Sequence, residues 1–171
     1  MTRDIDEYSW EQVDALCRQL AAKIDEPFDA IVCIMRGGAV PGAILANELD
    51  IELMLATKIV QTGQESGVAG TDRAYVAAAG VELVPLNDAD LVGLRVLVVD
   101  DVLDSGETAQ LVLDTVRRRG AAVVRLATLQ VKSYSRFRPD WYVEEKTNWL
   151  FYPWMSASEL ASMRARLLAQ V

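Results

Sequence analysis

The chain has 171 residues and no break in composition, which suits one folded domain around one hydrophobic core. It carries 17 lysines and arginines against 25 aspartates and glutamates, a net charge of −8, and no histidine. This composition excludes histidine catalysis and histidine metal ligands, and the acidity argues against a nucleic-acid-binding surface. No run approaches the ~18 apolar residues of a membrane span, and the acidic start does not match a signal peptide. We therefore expect a cytoplasmic protein that binds neither nucleic acid nor a membrane.

The first predicted element is a helix from Ser9 to about Lys23. Ser9 and Gln12 have the spacing of a capping box. The apolar residues that recur after them at helical intervals are Trp10, Val13, Leu16, Leu20 and Ile24. Cys17 lies on this apolar face and Cys33 in the next predicted strand, so we expect two reduced core cysteines rather than a disulfide or a metal site.

A buried strand is predicted over Ala30 to Met35, because this segment (AIVCIM) is an uninterrupted apolar run. The triplet Arg36-Gly37-Gly38 follows it directly, and a helix is predicted from Pro41 through Leu49. The two glycines let backbone amides approach an anion closely, and Arg36 adds a charged donor. The triplet is therefore a candidate anion-binding turn.

A third strand is predicted over Leu53 to Val60, and the segment that follows it, Gln61 to Asp72, is polar and rich in glycine. A segment of this composition cannot build a core. Long polar insertions in compact domains are usually lids or disordered loops.

The most informative stretch is Leu94 to Ala109, LRVLVVDDVLDSGETA. Its apolar run Leu94 to Val99 predicts a central parallel strand, and the apolar spacing after Ala109 predicts a helix. The acidic pair Asp100 and Asp101 lies between them. Because two carboxylates repel phosphate, this pair needs hydroxyl donors or a bridging metal ion as partners.

The turn after the acidic pair has the composition of a phosphate cradle. The first amides of the helix have no intrahelical partner and lie at the positive end of its dipole. Ser105, Gly106 and Thr108 add hydroxyls and a permissive backbone around the same point. A phosphate beside vicinal hydroxyls describes a ribose 5-phosphate, which is the ligand we predict here.

The segment VVDDVLDSGET (Val98 to Thr108) resembles the phosphoribosyl-pyrophosphate (PRPP) motif of the type I phosphoribosyltransferases. The resemblance implies that ribose and phosphate are bound by Asp100, Asp101, Asp104, Ser105, Gly106, Glu107 and Thr108. It implies Mg²⁺ as the cofactor with Asp101 as a ligand, and places Asp104 near the purine N7 as the catalytic carboxylate. A response-regulator receiver also ends a strand in two aspartates, but that pair follows its first strand, near the N-terminus.

The same resemblance assigns roles to two earlier segments. Arg36 and Gly37 become the pyrophosphate loop, where a cis peptide is expected at Met35–Arg36. Residues of about 61–80 become a flexible hood over the active site. Relatives often carry a Ser-Tyr pair in the hood that this sequence lacks, so no hood residue is assigned among Thr62, Arg73 and Tyr75.

A further strand is predicted over Val123 to Val131, with Lys132 just beyond its end. Such a lysine lies on the ligand side of an open α/β sheet, where the two earlier motifs also lie. Its ammonium can donate to a purine O6, whereas the amino group of adenine would face it with donors.

The segment Pro139 to Trp154 resembles the base-binding end of the purine phosphoribosyltransferases, most closely the bacterial xanthine-guanine group. The resemblance implies that Trp149 stacks on the purine and that the backbone of Leu150 meets the base edge. The remaining tryptophans are expected in the core, namely Trp10, Trp141 and Trp154. The base-binding segment as a whole covers residues of about 132–155.

A terminal helix is predicted over residues of about 156–170, opened by a capping box of Ser156 and Glu159. Its apolar stripe must pack on its own domain or on a neighbouring subunit.

The sequence thus predicts one domain over residues 1–171: an α/β fold with a mostly parallel sheet flanked by helices, right-handed crossovers, a hood and a small base-binding lobe. The predicted activity is transfer of the 5-phosphoribosyl group from PRPP to a 6-oxopurine (xanthine, guanine or hypoxanthine) in purine salvage, by a homo-oligomer (dimer or tetramer). Three alternatives stay open: transfer to adenine, orotate or uracil, a PRPP-binding regulator that binds RNA, and a receiver-like signalling module.

Overall fold

The computed structural model describes residues 4–61, 81–84 and 91–169. Its strands are β1 (Ile5–Glu7), β2 (Ala30–Ile34), β3 (Leu53–Gln61), β4 (Val81–Val84), β5 (Arg95–Leu103), β6 (Val123–Lys132), β7 (Trp141–Lys146) and β8 (Trp149–Phe151). Its helices are α1 (Trp10–Ala21), α2 (Ala39–Glu48), α3 (Glu107–Arg118) and α4 (Ala157–Leu168). Most of the predicted hood, with Thr62, Arg73 and Tyr75, lies outside the described residues.

Six strands form the main sheet, in the order β4-β3-β2-β5-β6-β7. Every neighbouring pair is parallel except β3 and β4, which run antiparallel at one edge. One apolar core lies between the sheet and helices α1 and α2, and a second lies between the sheet and α3. The predicted parallel α/β sheet with flanking helices is therefore confirmed.

Strand β5 is longer than its apolar run predicts. The prediction that it ends at Val99 is wrong, because its ladder with β6 continues from Asp100 to Leu103. The backbone groups around the acidic pair are thus held by sheet hydrogen bonds. Lys132 is likewise the last residue of β6 rather than the residue beyond it.

A second sheet of two parallel strands, β1 and β8, is absent from the sequence prediction. Ile5 lies opposite Trp149 and Glu7 opposite Phe151, so the two ends of the chain meet in this sheet. Three-residue strands are too short to show a periodicity in the sequence. Their pairing fixes the segment that was predicted to bind the base.

The two cysteines are buried and free, as predicted. Burial raises the pKa of Cys17 and of Cys33 to about 12, so neither thiol is a ready nucleophile. Trp141 and Trp154 are partly buried against the core. The prediction for Trp10 is wrong, because this residue is 53% exposed at the first turn of α1, where its ring lies 6.1 Å from that of Trp154 in a tilted arrangement.

The terminal helix α4 forms with the predicted capping box between Ser156 and Glu159. None of its residues is fully buried, so its apolar stripe is only partly covered by its own chain. Among the described residues, no helix is long and apolar enough to cross a membrane.

Candidate active site

Three strand ends converge at the carboxyl edge of the main sheet. β2, β5 and β6 are parallel, so the turns that follow them lie on the same side. The turn after β2 closely approaches the acidic pair of β5. A Cβ atom built on Gly37 would lie 2.4 Å from Oδ1 of Asp101, so a larger residue here would displace the Asp101 carboxylate.

The turn after β2 also packs closely against the backbone of β5. A Cβ on Gly38 would lie 2.2 Å from the carbonyl oxygen of Val99. The Met35–Arg36 peptide bond is cis, as predicted. Both glycines of the triplet are therefore needed for close packing, and Gly38, which was predicted only as part of the turn, seats the loop on the sheet.

The acidic pair lies close to that turn. Asp101 is only 7% exposed, and its Oδ1 accepts a hydrogen bond from the amide of Val102 at 2.7 Å. Oδ1 of Asp100 accepts one from the amide of Asp101 at 3.0 Å. Burial raises the pKa of Asp101 to about 6, and burial followed by the charge of Asp101 raises the pKa of Asp100 well above its usual range. The two adjacent carboxylates therefore repel each other, and a bound cation would relieve that repulsion.

A magnesium ion fits this donor set. Mg²⁺ is commonly held by one or two carboxylates together with water and substrate phosphates. Within the described ranges no cluster of three or more histidine, cysteine, aspartate or glutamate side chains could hold a metal ion by itself. The pair Asp100 and Asp101 could therefore hold Mg²⁺ only as part of a site that the substrate completes.

The predicted phosphate cradle follows β5. Gly106 is the N-cap of α3, with φ of 91°. As a glycine it has no side chain that could cap the helix. The amide of Glu107 approaches Oγ of Ser105 at 3.4 Å, a long contact. The first turn of α3 is thus weakly capped, which leaves amide donors for an anion.

Asp104 has an exposed side chain in this turn and makes no hydrogen bond or ion pair with the described part of the chain. It does not cap α3, because the N-cap position is Gly106. Its carboxylate is therefore free to act on a ligand beside the cradle. A Cβ on Gly106 would meet Cβ of Phe137 at 2.6 Å, so the loop after β6 packs against the cradle.

Lys132 joins the sheet edge to the predicted base-binding segment. Its side chain is 7% exposed, and its ammonium donates to the backbone carbonyl of Asn148. Asn148 directly precedes Trp149, and its side-chain amide donates to Asp6 of β1 at 2.9 Å. The lysine and the tryptophan, which are far apart in sequence, are thereby brought together.

The backbone N–H and C=O groups of β8 face two opposite sides of the strand, of which one is paired with β1. The amide of Trp149 donates to the carbonyl of Asp4 at 3.0 Å, and the carbonyl of Phe151 accepts from the amide of Tyr8 at 2.9 Å. Because successive residues of a parallel strand direct their backbone groups to opposite sides, those of Leu150 point away from β1. Its side chain is buried. The backbone of Leu150 is therefore free to meet the edge of a planar ligand.

The aromatic residue behind β8 was not predicted. Tyr152 is fully buried, stacks between Tyr8 (5.5 Å between centroids) and Trp154 (4.6 Å), and donates to Oε1 of Gln130 on β6. Residues Trp149 to Tyr152 are all apolar or aromatic, so the sequence shows no alternation that could have singled out Tyr152.

Arg36 does not point to the acidic pair. Its guanidinium is 79% exposed and lies 3.2 Å from Oε1 of Glu159 on α4. No sequence signal could have joined two residues that are 123 positions apart.

Comparison with known proteins agrees with this geometry. The model of the phosphoribosyl transferase domain matches residues 9–153. Xanthine-guanine phosphoribosyltransferase of Ruegeria sp. is 31% identical over 156 residues, which cover 85% of this chain and 82% of that protein. The crystal structure of purine phosphoribosyltransferase from Pyrococcus horikoshii is 30% identical, with a TM-score of 0.73 over 90% of this chain and 95% of the other.

A more distant structure shares the fold alone. Xanthine-guanine-hypoxanthine phosphoribosyltransferase of Helicobacter pylori is 18% identical, with a TM-score of 0.67 over 94% of this chain and 99% of the other. The receiver-like alternative is wrong, because the phosphoribosyl transferase domain match spans most of the chain. The acidic pair also lies on β5, whereas a receiver has it after its first strand. The chain belongs to the phosphoribosyltransferase family.

Proposed function

We propose that this phosphoribosyltransferase transfers the 5-phosphoribosyl group of PRPP to a ring nitrogen of a 6-oxopurine and releases pyrophosphate. The observation that carries the choice of base is the position of Lys132. Lys132 is buried, and its ammonium donates to the carbonyl of Asn148, the residue directly before Trp149 and Leu150. A cation and a backbone amide are the donors that suit the O6 and ring nitrogens of an oxopurine stacked on Trp149.

The PRPP half of the site is assigned to the ends of β2 and β5. The cradle of Ser105, Gly106, Glu107 and Thr108 binds the 5-phosphate through amides and hydroxyls at the start of α3. The turn of Arg36 and Gly37 binds the pyrophosphate. With Mg²⁺ bound, Asp101 and Asp100 would hold the ion, which would neutralise charge on the pyrophosphate leaving group.

The chain's own residues then fix the reacting groups on opposite faces of the ribose. Glycosyl transfer passes through a transition state like an oxocarbenium ion, so orientation of the base and the leaving group is the main requirement. Asp104, exposed and unpaired within the described residues, accepts or shares the proton that must leave the purine.

The test is a product assay with each base in turn. Protein, PRPP and Mg²⁺ are incubated separately with xanthine, guanine, hypoxanthine, adenine, orotate and uracil, and nucleotide and pyrophosphate are measured. We expect both products with at least one 6-oxopurine and little with the other three. Preference for adenine, orotate or uracil would contradict the proposed base, and absence of product with PRPP bound would favour the regulator that binds RNA.

Two properties of the whole protein complete the proposal. Exposed apolar side chains at the start of β3, Leu53 (38% exposed) and Met54 (42%), support assembly into a homo-oligomer, which light scattering tests. Two free buried cysteines support a reducing, cytoplasmic location, which cell fractionation tests.

A further inference from the structure

The contact between Arg36 and α4 gives the terminal helix a role. The domain match ends at residue 153, and α4 covers Ala157–Leu168, so this helix lies beyond the segment that the family model matches. Glu159, in its first turn, reaches the loop after β2 and pairs with the guanidinium of Arg36 at 3.2 Å.

The carboxylate of Glu159 is held in place from its other side. Oε2 accepts hydrogen bonds from the amide of Ser156 at 2.8 Å and from its hydroxyl at 2.9 Å. The bond from the Ser156 backbone, above all, holds the pKa of Glu159 below its usual range, and the charge of Arg36 adds to the effect. Glu159 is therefore a fixed negative charge beside the pyrophosphate loop.

A fixed carboxylate at this place opposes a polyanion. Pyrophosphate can engage Arg36 only by displacing Glu159 or by binding next to it, and like charges repel in either case. We infer that Glu159 is a positioning residue that restrains Arg36 and lowers the affinity of the enzyme for pyrophosphate and for the pyrophosphate group of PRPP. The inference rests on the proposed role of Arg36. Its consequence is faster release of the leaving group after transfer.

The first experiment compares wild type with Glu159→Gln by titrating inorganic pyrophosphate in the presence of Mg²⁺ in a calorimeter. Glutamine retains the capping box, so the start of α4 is kept while the charge is removed. Because exposed ion pairs are weak, we expect the Kd for pyrophosphate to fall about two- to fivefold at low ionic strength. The difference in Kd between the two proteins should vanish in about 1 M salt. In steady-state assays, KM for PRPP should fall about two- to fivefold in the variant, while KM for the base stays unchanged.

Asp114→Asn is the matched control. Asp114 is an exposed carboxylate of α3 that pairs with Arg117 at 3.0 Å, so its replacement changes the net charge equally but away from the loop. We expect wild-type affinity for pyrophosphate in this variant. Equal tightening in Asp114→Asn and Glu159→Gln would reduce the effect to net charge and overturn the inference.

Arg36→Ala separates this inference from the proposed site. We expect it to weaken pyrophosphate binding at least about tenfold and to make Glu159→Gln silent in the double variant. If Arg36→Ala weakens binding but Glu159→Gln alone does not tighten it, the inference is wrong and the pyrophosphate loop stands. If Arg36→Ala leaves binding unchanged, the proposed role of Arg36 fails, and the inference with it.

Discussion

The two halves of the proposed site are built in opposite ways. The proposed PRPP half stands on β2 and β5, neighbouring strands inside a six-stranded sheet, and its loops pack so closely that a Cβ atom on Gly37 or Gly38 would clash with β5. The base half stands on β1 and β8, a pair of three-residue strands that would be marginal alone. The first half tolerates almost no change in volume, whereas the second depends on what packs behind it.

What packs behind β8 is a column of aromatic rings and a buried polar contact. Tyr8, Tyr152 and Trp154 stack in sequence, and Tyr152 donates to Gln130 on the main sheet. Offset aromatic pairs contribute about 0.5–1.5 kcal/mol each beyond the area they bury. Side-chain contacts therefore attach the base half to the main sheet, whereas the PRPP half is formed by strands and turns of that sheet. Changes confined to one half should leave the other intact.

The largest expected effect is at the point where the halves meet. Asp104→Asn keeps the size of the side chain but removes its basicity, so we expect kcat to fall about 10²-fold or more. Both KM values should stay within about threefold of wild type, because neither binding half is altered. Steady-state kinetics with PRPP and the preferred base measure this. Undiminished turnover would make Asp104 a turn residue only.

Lys132→Met tests the base half. An unpaired buried donor costs about 1–3 kcal/mol, and facing donors add repulsion, so the lysine can account for discrimination of about tenfold to 10²-fold against adenine. We expect kcat/KM for 6-oxopurines to fall by that factor, and their advantage over adenine to narrow.

Lys23→Met is the control for Lys132→Met, since Lys23 also donates to a backbone carbonyl, that of Tyr142 at 2.7 Å, but from an exposed position. We expect it to leave base preference unchanged. Equal loss on all bases in Lys132→Met would remove the main support for a 6-oxopurine.

Gly37→Ala tests the PRPP half. The new methyl would lie 2.4 Å from a carboxylate that is buried and already bonded to the amide of Val102. Overpacking of this kind costs about 1–3 kcal/mol, so we expect KM for PRPP to rise about tenfold while base affinity is kept. Gly93→Ala is the control, because it strains a positive φ of 78° in open space. Similar kinetics in the two variants would mean that the contact with Asp101 is unimportant.

The same difference between halves explains what could be predicted from the sequence. The cradle residues are contiguous, so strand, acidic pair, turn and helix follow from local pattern, and the cis bond follows from the family resemblance. The end of β5 could not be predicted, because hydrogen bonds from β6 and not the side chains of Asp100 and Asp101 decide it. The pairing of Ile5 with Trp149 and of Arg36 with Glu159 joins opposite parts of the chain, and no local pattern encodes such contacts.

The smallest expected effect concerns the strand that joins the two halves. Thr128 of β6 is fully buried, lies opposite Asp100 on β5, and its hydroxyl has no hydrogen-bond partner within the described residues. A buried hydroxyl without a partner is a net cost, and valine has the same shape without it. We expect Thr128→Val to raise the free energy of unfolding by up to about 1 kcal/mol in urea titrations.

Thr115→Val is the control: the Thr115 hydroxyl donates to the carbonyl of Leu111 at 2.8 Å and accepts from Arg118 at 2.9 Å, so its loss should lower stability. If Thr128→Val instead destabilises the protein as much as the control does, the Thr128 hydroxyl makes a stabilising hydrogen bond. Strand β6 would then be held beside the acidic pair by this side chain as well as by its backbone hydrogen bonds to β5.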